Sequence, residues 1–464
     1  MFSKETYQNR RAQLQKNVSG GVLLFLGNIE NPMNFNDNPY PFRQDSSFVY
    51  YFGIQEPKLA AIIDIDEDKT IVFGDELEID DIIWMGSQET IKAKATKSGV
   101  AETQPFQKLF DYVGKVKNSG RKVHFLPPYQ SVNKILLSHL FETKIEALHP
   151  SVEFIKAIAA QRSIKEKQEV AEMEKAANVS NEMHRVAMRV TKAGMKEYEI
   201  FSAIQKVVSD NECSFSYPPI VTKDGGVLHN HYRGNTLQNG DLVLNDSGVE
   251  TASCYAADLT RTYPVDKKFT PKQRDMYNVV LNAFEISQAI MKPGLNYKEV
   301  HRKAAEMLVE GFIDLGLMKG NAQEAVANNA HTLFFQCGTG HLMGIDVHDM
   351  QDLGEHYVGY TEEEPKDLET FGWKSLRLGK ALEKDNVVTI EPGFYAIPQL
   401  IDQWQKENKL ADFINYDKVN EYRDFGGIRI EDDFLITENG YRLLGDGLLK
   451  KADDIELLRL ESLK

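Results

Sequence analysis

Short apolar runs alternating with polar positions fill the first third of the chain, whereas helical spacing dominates much of the remainder, so two differently built segments are expected. A helical stretch over residues 4–16 precedes an apolar strand at 21–26, and further strands are expected at 47–52, 60–65 and 70–73. Two helix-like stretches and a short Val-His-Phe-Leu strand near residue 123 complete an α/β pattern, and Leu148-His-Pro-Ser151 with the charged stretch 162–168 marks a crossing. The expected division is therefore 1–160 and 161–464. The second segment opens with a helix over 165–192, where Met173, Ala177, Ser180, Met183, Ala187 and Val190 share a face, and Gly194 ends it. Thr270 reads as an N-cap with Pro271 at the first helical position and Lys292-Pro-Gly294 as the stop, and another helix spans 297–315. Helices interleaved with strands around a central sheet imply an α+β layer architecture for this segment.

Within the strands of the second segment, five residues break the apolar pattern. Asp246 ends Leu242-Val-Leu-Asn-Asp-Ser-Gly248, Asp258 lies in Tyr255-Ala-Ala-Asp-Leu-Thr-Arg261, and His341 lies in Gly340-His-Leu-Met-Gly-Ile-Asp-Val-His-Asp349. Glu391 lies in Val387-Val-Thr-Ile-Glu-Pro-Gly393 and Glu431 in Gly427-Ile-Arg-Ile-Glu-Asp-Asp433. Side chains alternate faces along a strand, so a hairpin centred near Ala252 would set Asp246 opposite Asp258. On the same rule Thr260, Thr389 and Arg429 share faces with Asp258, Glu391 and Glu431, while Leu259, Ile390 and Ile430 point into the core. A single acid of this kind is usually an exposed edge residue. Five polar residues, each in an apolar β context, are not explained that way.

Convergence has an electrostatic consequence. Like charges about 4 Å apart repel by roughly 4 kcal/mol per pair at an effective dielectric near 20, so a cluster of four carboxylates calls for cations. Oxygen donors with one imidazole suit hard or borderline divalent ions and exclude thiolate metals. Four carboxylates are too many for one zinc, whereas two ions about 3.5 to 4 Å apart can share one hydroxide as a nucleophile for hydrolysis.

Composition narrows the partners. The chain has 464 residues, 42% hydrophobic and 27% charged, as expected of a globular protein of two or three domains. Its net charge of −15 disfavours nucleic acid, and no apolar run suggests a membrane span. Three cysteines, Cys213, Cys254 and Cys337, show no paired spacing, which fits a cytoplasmic location better than a disulfide framework.

The motifs Asp246-Ser-Gly248, Asp258-Leu-Thr-Arg-Thr262, Gly340 to Asp349, Glu391-Pro-Gly393 and Gly427-Ile-Arg-Ile-Glu-Asp432 make the chain from about Arg162 onward similar to the creatinase-like "pita-bread" metallopeptidases, in the aminopeptidase P and prolidase branch. Phe42-Arg-Gln-Asp-Ser-Ser-Phe48 and Tyr51-Phe-Gly-Ile54 resemble the N-terminal domain of that family. The resemblance implies a two-domain α/β protein, with a creatinase-like α/β domain followed by a pita-bread α+β catalytic domain. It implies that Asp246 chelates one divalent ion, that Asp258 and Glu431 bridge, and that His341 and Glu391 complete the second site. Mn²⁺ is the first expectation, with Co²⁺ or Zn²⁺ as alternatives. By the same resemblance Glu391 accepts a proton from the attacking water, His348 contacts the scissile region, and Arg429 balances the negative charge. An upstream histidine contacts the substrate: His231, in His231-Tyr-Arg-Gly-Asn235, matches the family pattern better than His229.

The implied activity is Xaa-Pro aminopeptidase, with Xaa-Pro dipeptidase as the alternative and a non-catalytic pita-bread binding protein as a third reading. Proline-containing peptides would be the substrates and a homodimer the assembly. Arg377 aligns with the arginine that prolidases use for the substrate carboxylate. Three departures from the family pattern are visible: a longer hairpin between the aspartates, Cys337 where relatives usually have histidine, and apparent insertions at 350–376 and 398–424. The acidic run Thr361-Glu-Glu-Glu-Pro365 reads as a solvated loop.

Overall fold

In the computed structural model, which describes residues 2–464, the alternating pattern of the first third becomes a five-stranded sheet. Its strands are β1 (Val22–Leu26), β2 (Ala60–Asp64), β3 (Lys69–Phe73), β4 (Glu102–Gln104) and β5 (Val123–Phe125), in the order β4-β3-β2-β1-β5. The three central strands run antiparallel and the two outer pairings are parallel. Period-two burial places Val22, Leu24, Ala60, Ile62, Ile71 and Phe73 against Leu109, Val113, Val116, Leu137 and Leu140 of two covering helices. This sheet belongs to a compact unit made, among the described residues, of 2–162 and 350–358, and a second unit comprises 163–349 and 359–464.

Residues 47–52, expected as a strand, form instead the helix Ser46–Phe52. All its residues are buried, so no polar face exposes a 3.6-residue period, and an apolar run of this length reads equally as a strand. The ends decide the matter. The Asp45 carboxylate accepts the Phe48 N–H at 2.9 Å as an N-cap, and Gly53 closes the helix at φ 66°. A Cβ at Gly53 would also collide with the Tyr7 ring. Asp45→Ala is expected to cost this helix about 1 kcal/mol, read as roughly five-fold faster amide exchange across residues 46–53 by mass spectrometry.

The helices of the second unit lie close to their expected positions: Lys167–Val190, Pro271–Ala289 and Tyr297–Asp314. Thr270 and Gln273 form a reciprocal cap at the start of the second of these. Ten short strands follow the sheet of the first unit: β6 (Ser214–Phe215), β7 (Ile220–Thr222), β8 (Leu242–Asp246), β9 (Val249–Glu250), β10 (Thr260–Pro264), β11 (Val387–Ile390), β12 (Gly393–Tyr395), β13 (Gly427–Arg429), β14 (Asp432–Ile436) and β15 (Tyr441–Leu443). They pair as β10-β8-β7, β11-β14-β15, β12-β13 and β6-β9, and isolated bridges Thr260↔Glu431 and Leu342↔Val388 stitch the pieces together. These bridges bring the segments carrying Asp258, His341, Glu391 and Glu431 side by side.

The hairpin register differs from expectation by two residues. Asp246 pairs with Thr260 and Glu250 bridges Ala256, so the turn centres on Ser253 and Asp258 is the diagonal neighbour of Asp246. A two-residue shift preserves the face, so the two carboxyls still converge. Leu259, Ile390 and Ile430 are buried as the alternation requires.

Of the two apparent insertions, residues 398–424 are well packed. The helices Pro398–Lys406 and Tyr416–Asn420 bury Ile401, Trp404 and Val419, Met318 bridges Ile414, and Tyr422 packs toward Phe394 with 6.3 Å between ring centroids. In the acidic run Glu362 and Glu363 are exposed. Among the described residues no helix is long and apolar enough to cross a membrane.

Candidate metal centre

Asp246 at the end of β8 and Glu431 just before β14 meet Asp258 so that one oxygen of each carboxylate lies within 4.8 Å of the others. A second triad at the same spacing joins His341, Glu391 and Glu431, and a third joins Asp258, His341 and His348. The first two overlap at Glu431. His341 Nε2 is 3.4 Å from Asp258 and 3.9 Å from Glu391, and the rings of His341 and His348 lie edge to face with centroids 4.5 Å apart. All of these residues belong to the second unit.

The chemistry of this donor set fits divalent cations. Burial first, then the charges of Asp258, Glu391 and Asp246, pushes Glu431 well above the carboxylate range. Burial likewise pushes Glu391 up to about 8, with Asp258 and Asp246 adding to the rise while Arg429 and Arg377 oppose it. Asp258 is raised by burial against the lowering effect of Tyr217 and of nearby cations. His341 is driven by burial down to about 3, so it is neutral with a lone pair to offer. Carboxyls that resist ionisation when alone and an imidazole that stays neutral are the signature of ligands whose charge a cation would balance.

The surrounding side chains hold the acids in place. Arg429 contacts the Asp246 carboxylate and donates to the Tyr395 hydroxyl at 2.9 Å and to Thr260 Oγ1 at 3.2 Å. Burial works against its charge, but Tyr395 and the carboxylates raise its affinity for the proton above the ordinary value. Thr260 Oγ1 in turn donates to Glu431 at 2.7 Å. Asp433 accepts the Asp258 backbone N–H at 3.0 Å. Arg261 directs its guanidinium into this wall, donating to Thr260 O, Glu431 O, Leu448 O, Leu449 O and the Asp432 carboxylate, the last at 2.6 Å. Beside His348, Asp349 forms a fully buried ion pair with Lys165 at 3.0 Å.

Tyr217 joins the site with no signal in the sequence. Its hydroxyl lies 2.6 Å from Asp246 and 2.5 Å from Asp258, spanning the two aspartates. Tyr217 stands in Ser214-Phe-Ser-Tyr-Pro-Pro219, between β6 and β7, where no periodicity marks it. Arg377 is placed where its charge bears on Asp258, Glu391 and His341. Cys337 Sγ lies 3.9 Å from the Tyr395 hydroxyl, and its thiol is pushed up to about 12, by burial first and then by Glu391. Both upstream histidines, His229 and His231, are exposed on one loop, and charges of the site bear on His229. Burial lowers its pKa, followed by Arg429, with Asp246 opposing them.

Comparison with known proteins agrees with this geometry. The family model of metallopeptidase family M24 matches residues 171–438, and that of the aminopeptidase P N-terminal domain matches residues 7–124. The Xaa-Pro dipeptidase of Homo sapiens is 30% identical over 93% of this chain and 88% of its own length. The Xaa-Pro aminopeptidase of Escherichia coli strain K12 is 28% identical over 100% of this chain and 99% of its own. Among solved structures, proline aminopeptidase P II from Yersinia pestis superposes with a TM-score of 0.82 at 28% identity, covering 99% of this chain and 100% of that one. Zinc-substituted E. coli aminopeptidase P in complex with product superposes at 0.81 and 28% identity, covering 100% and 99%. The architecture is thus the aminopeptidase P N-terminal domain followed by the pita-bread catalytic domain, and the chain belongs to metallopeptidase family M24.

Proposed function

We propose that this protein is an Xaa-Pro aminopeptidase that hydrolyses the bond between an N-terminal residue and a following proline. The observation that carries the reading is the pair of ligand triads overlapping at Glu431, in a chain of this family. Asp246, Asp258 and Glu431 would hold one divalent ion and His341, Glu391 and Glu431 the other, with Asp258 also shared; Mn²⁺ is the first choice, Co²⁺ or Zn²⁺ the alternatives. Two such ions supply Lewis acidity toward the scissile carbonyl and lower the pKa of the attacking water.

The chain's own residues supply the rest. Glu391, which meets His341 and Glu431 in one triad, would take a proton at its carboxylate and return it to the proline nitrogen, which leaves as a secondary amine and needs one. His348 would hydrogen-bond the reacting carbonyl, a role supported by its ring lying against that of His341. His231 takes the upstream substrate contact by its match to the family motif, with His229, on which the charges of Arg429 and Asp246 act, as the alternative on the same loop. Arg429 neutralises Asp246 and keeps it oriented. An Xaa-Pro bond has no N–H to recognise, so the site has to read the imide by shape and by the free amino terminus.

A dipeptidase is the second reading, favoured by one observation: Arg377 sits in the field of the site, where it could bind the carboxylate of a C-terminal proline. Turnover of an Xaa-Pro dipeptide and an Xaa-Pro-Yaa tripeptide with Mn²⁺ separates the two. Release of Xaa from the tripeptide supports the aminopeptidase, and cleavage of the dipeptide alone overturns it. In the second case Arg377→Ala should raise KM for the dipeptide at least about ten-fold, the cost of a lost charged hydrogen bond. We further take the protein to be a cytoplasmic homodimer. The helix Ile79–Met85, which exposes Ile79, Ile83, Trp84 and Met85, supports association.

A further inference from the structure

For His341 and Glu391 to face one another, residues 339–341 and the strand β11 have to be fixed side by side. Three backbone-donated hydrogen bonds tie them: Glu391 N–H to Thr339 O at 2.7 Å, Thr389 N–H to His341 O at 3.1 Å, and His341 N–H to Thr389 Oγ1 at 3.1 Å. A helix behind them adds further contacts. Tyr297 and His301 are four residues apart on the helix Tyr297–Asp314 and therefore share a face. The Tyr297 hydroxyl donates to Thr389 O at 2.6 Å and lies 3.3 Å from Thr339 O, while His301 Nδ1 is 2.7 Å from Thr339 Oγ1.

Gly340 makes this reach feasible. A Cβ at that position would collide with the Tyr297 hydroxyl and with Thr389 O, so the phenol occupies the space a side chain at 340 would need. Both Tyr297 and His301 are buried, and burial keeps the phenol protonated and the imidazole neutral. The helix thus touches both segments through groups that carry no charge and that belong to neither ligand triad.

We propose that Tyr297 and His301 are positioning residues that set the spacing of His341 and Glu391. The inference rests on the reading of those two residues as ligands of one divalent ion. Tyr297 clasps the backbone just before Glu391 and the backbone just before His341, and His301 fixes the hydroxyl of the residue whose carbonyl receives the Glu391 N–H. Loss of either tie lets the two segments move apart by a fraction of an ångström. Loss of a direct hydrogen-bond partner of a metal ligand commonly changes affinity or activity by about 10 to 100-fold, and these ties act one step further out, through the backbone that carries the ligands, so the lower end of that range applies.

Calorimetric titration of the full-length, metal-stripped protein with Mn²⁺ alone, alongside steady-state kinetics, tests this. Tyr297→Phe keeps the ring in its slot and deletes the hydroxyl, and Thr339→Val deletes the partner of His301. Each is expected to weaken one of two Mn²⁺ binding steps about ten-fold and to lower kcat by a similar factor, with KM within about two-fold. Thr339→Ser, which keeps the hydroxyl, should bring both back to within about three-fold of wild type. Unchanged Mn²⁺ affinity in Tyr297→Phe and Thr339→Val, with wild type binding two ions, overturns the positioning role. So does a Thr339→Ser chain as impaired as Thr339→Val. A wild-type chain that binds no Mn²⁺ overturns the metal reading and this inference with it. If Tyr297→Phe does not fold, the valine and serine pair at Thr339 carries the test.

Discussion

Replacing Asp258 with alanine is expected to lower kcat/KM on an Xaa-Pro-Yaa peptide by at least about 10³-fold, or about 4 kcal/mol of transition-state stabilisation, while the protein stays folded. Asp258 completes the triad with Asp246 and Glu431 and lies 3.4 Å from His341 of the other proposed site, so its loss damages both proposed ion sites at once. The fold has little reason to suffer. The Asp258 carboxyl is raised by burial, which means the folded chain holds it reluctantly as an anion. Its backbone N–H to Asp433 survives the substitution, and the adjacent core contact is made by Leu259. Elemental analysis should find fewer bound ions per chain than in wild type, and far-UV circular dichroism should be unchanged. Turnover within about ten-fold of wild type would be incompatible with a shared ligand at this position.

The parts of the structure legible in the sequence are those where one residue's chemistry contradicts its neighbours. Glu391 and Glu431 stand in apolar β runs, and alternation alone places Ile390 and Ile430 in the core beneath them. Helix boundaries such as Thr270-Pro271 are equally plain because capping chemistry is local. Pairing register is less so: the turn between Asp246 and Asp258 offers no Asn-Gly or similar dipeptide to fix its centre, and the true centre lies at Ser253. The helix Ser46–Phe52 mimics a strand because total burial erases periodicity. Tyr217, Arg261 and the Lys165–Asp349 pair act through tertiary contacts between residues 29 to 184 positions apart, which no local pattern encodes. His229 and His231 differ by two residues on an irregular loop, where neither a helical nor a strand period chooses the face.

Metal removal should make the protein's stability fall as pH rises from about 6.5 to 8, and saturating metal should abolish that trend. The sign follows from the carboxyls. Glu391 is pushed up to about 8, and Glu431, Asp258 and Asp433 are also raised, whereas in the unfolded chain such groups titrate near 4. Between those limits the folded state binds more protons than the unfolded one, so stability is lost with rising pH. Buried histidines act the other way: His184, His301, His331 and His341 are lowered to between about 3 and 4, and each adds stability as pH climbs toward the unfolded value near 6.5. Above that value their contribution is flat, which leaves the carboxyls alone in the window from about 6.5 to 8. There Glu391 by itself accounts for about 2 kcal/mol, from about 1.5 pKa units. For a unit of this size that is a fall of roughly 4 °C in melting temperature in the presence of a chelator. Saturating Mn²⁺ pairs with the ionised carboxylates, so its stabilisation grows as they lose protons. The gap between the Mn²⁺-loaded and chelated melting temperatures should therefore widen steadily across this window by scanning calorimetry. A gap that is flat or narrows with pH would mean that these carboxyls do not bind the ion, because a ligand that must deprotonate to bind cannot lose its advantage as protons are removed.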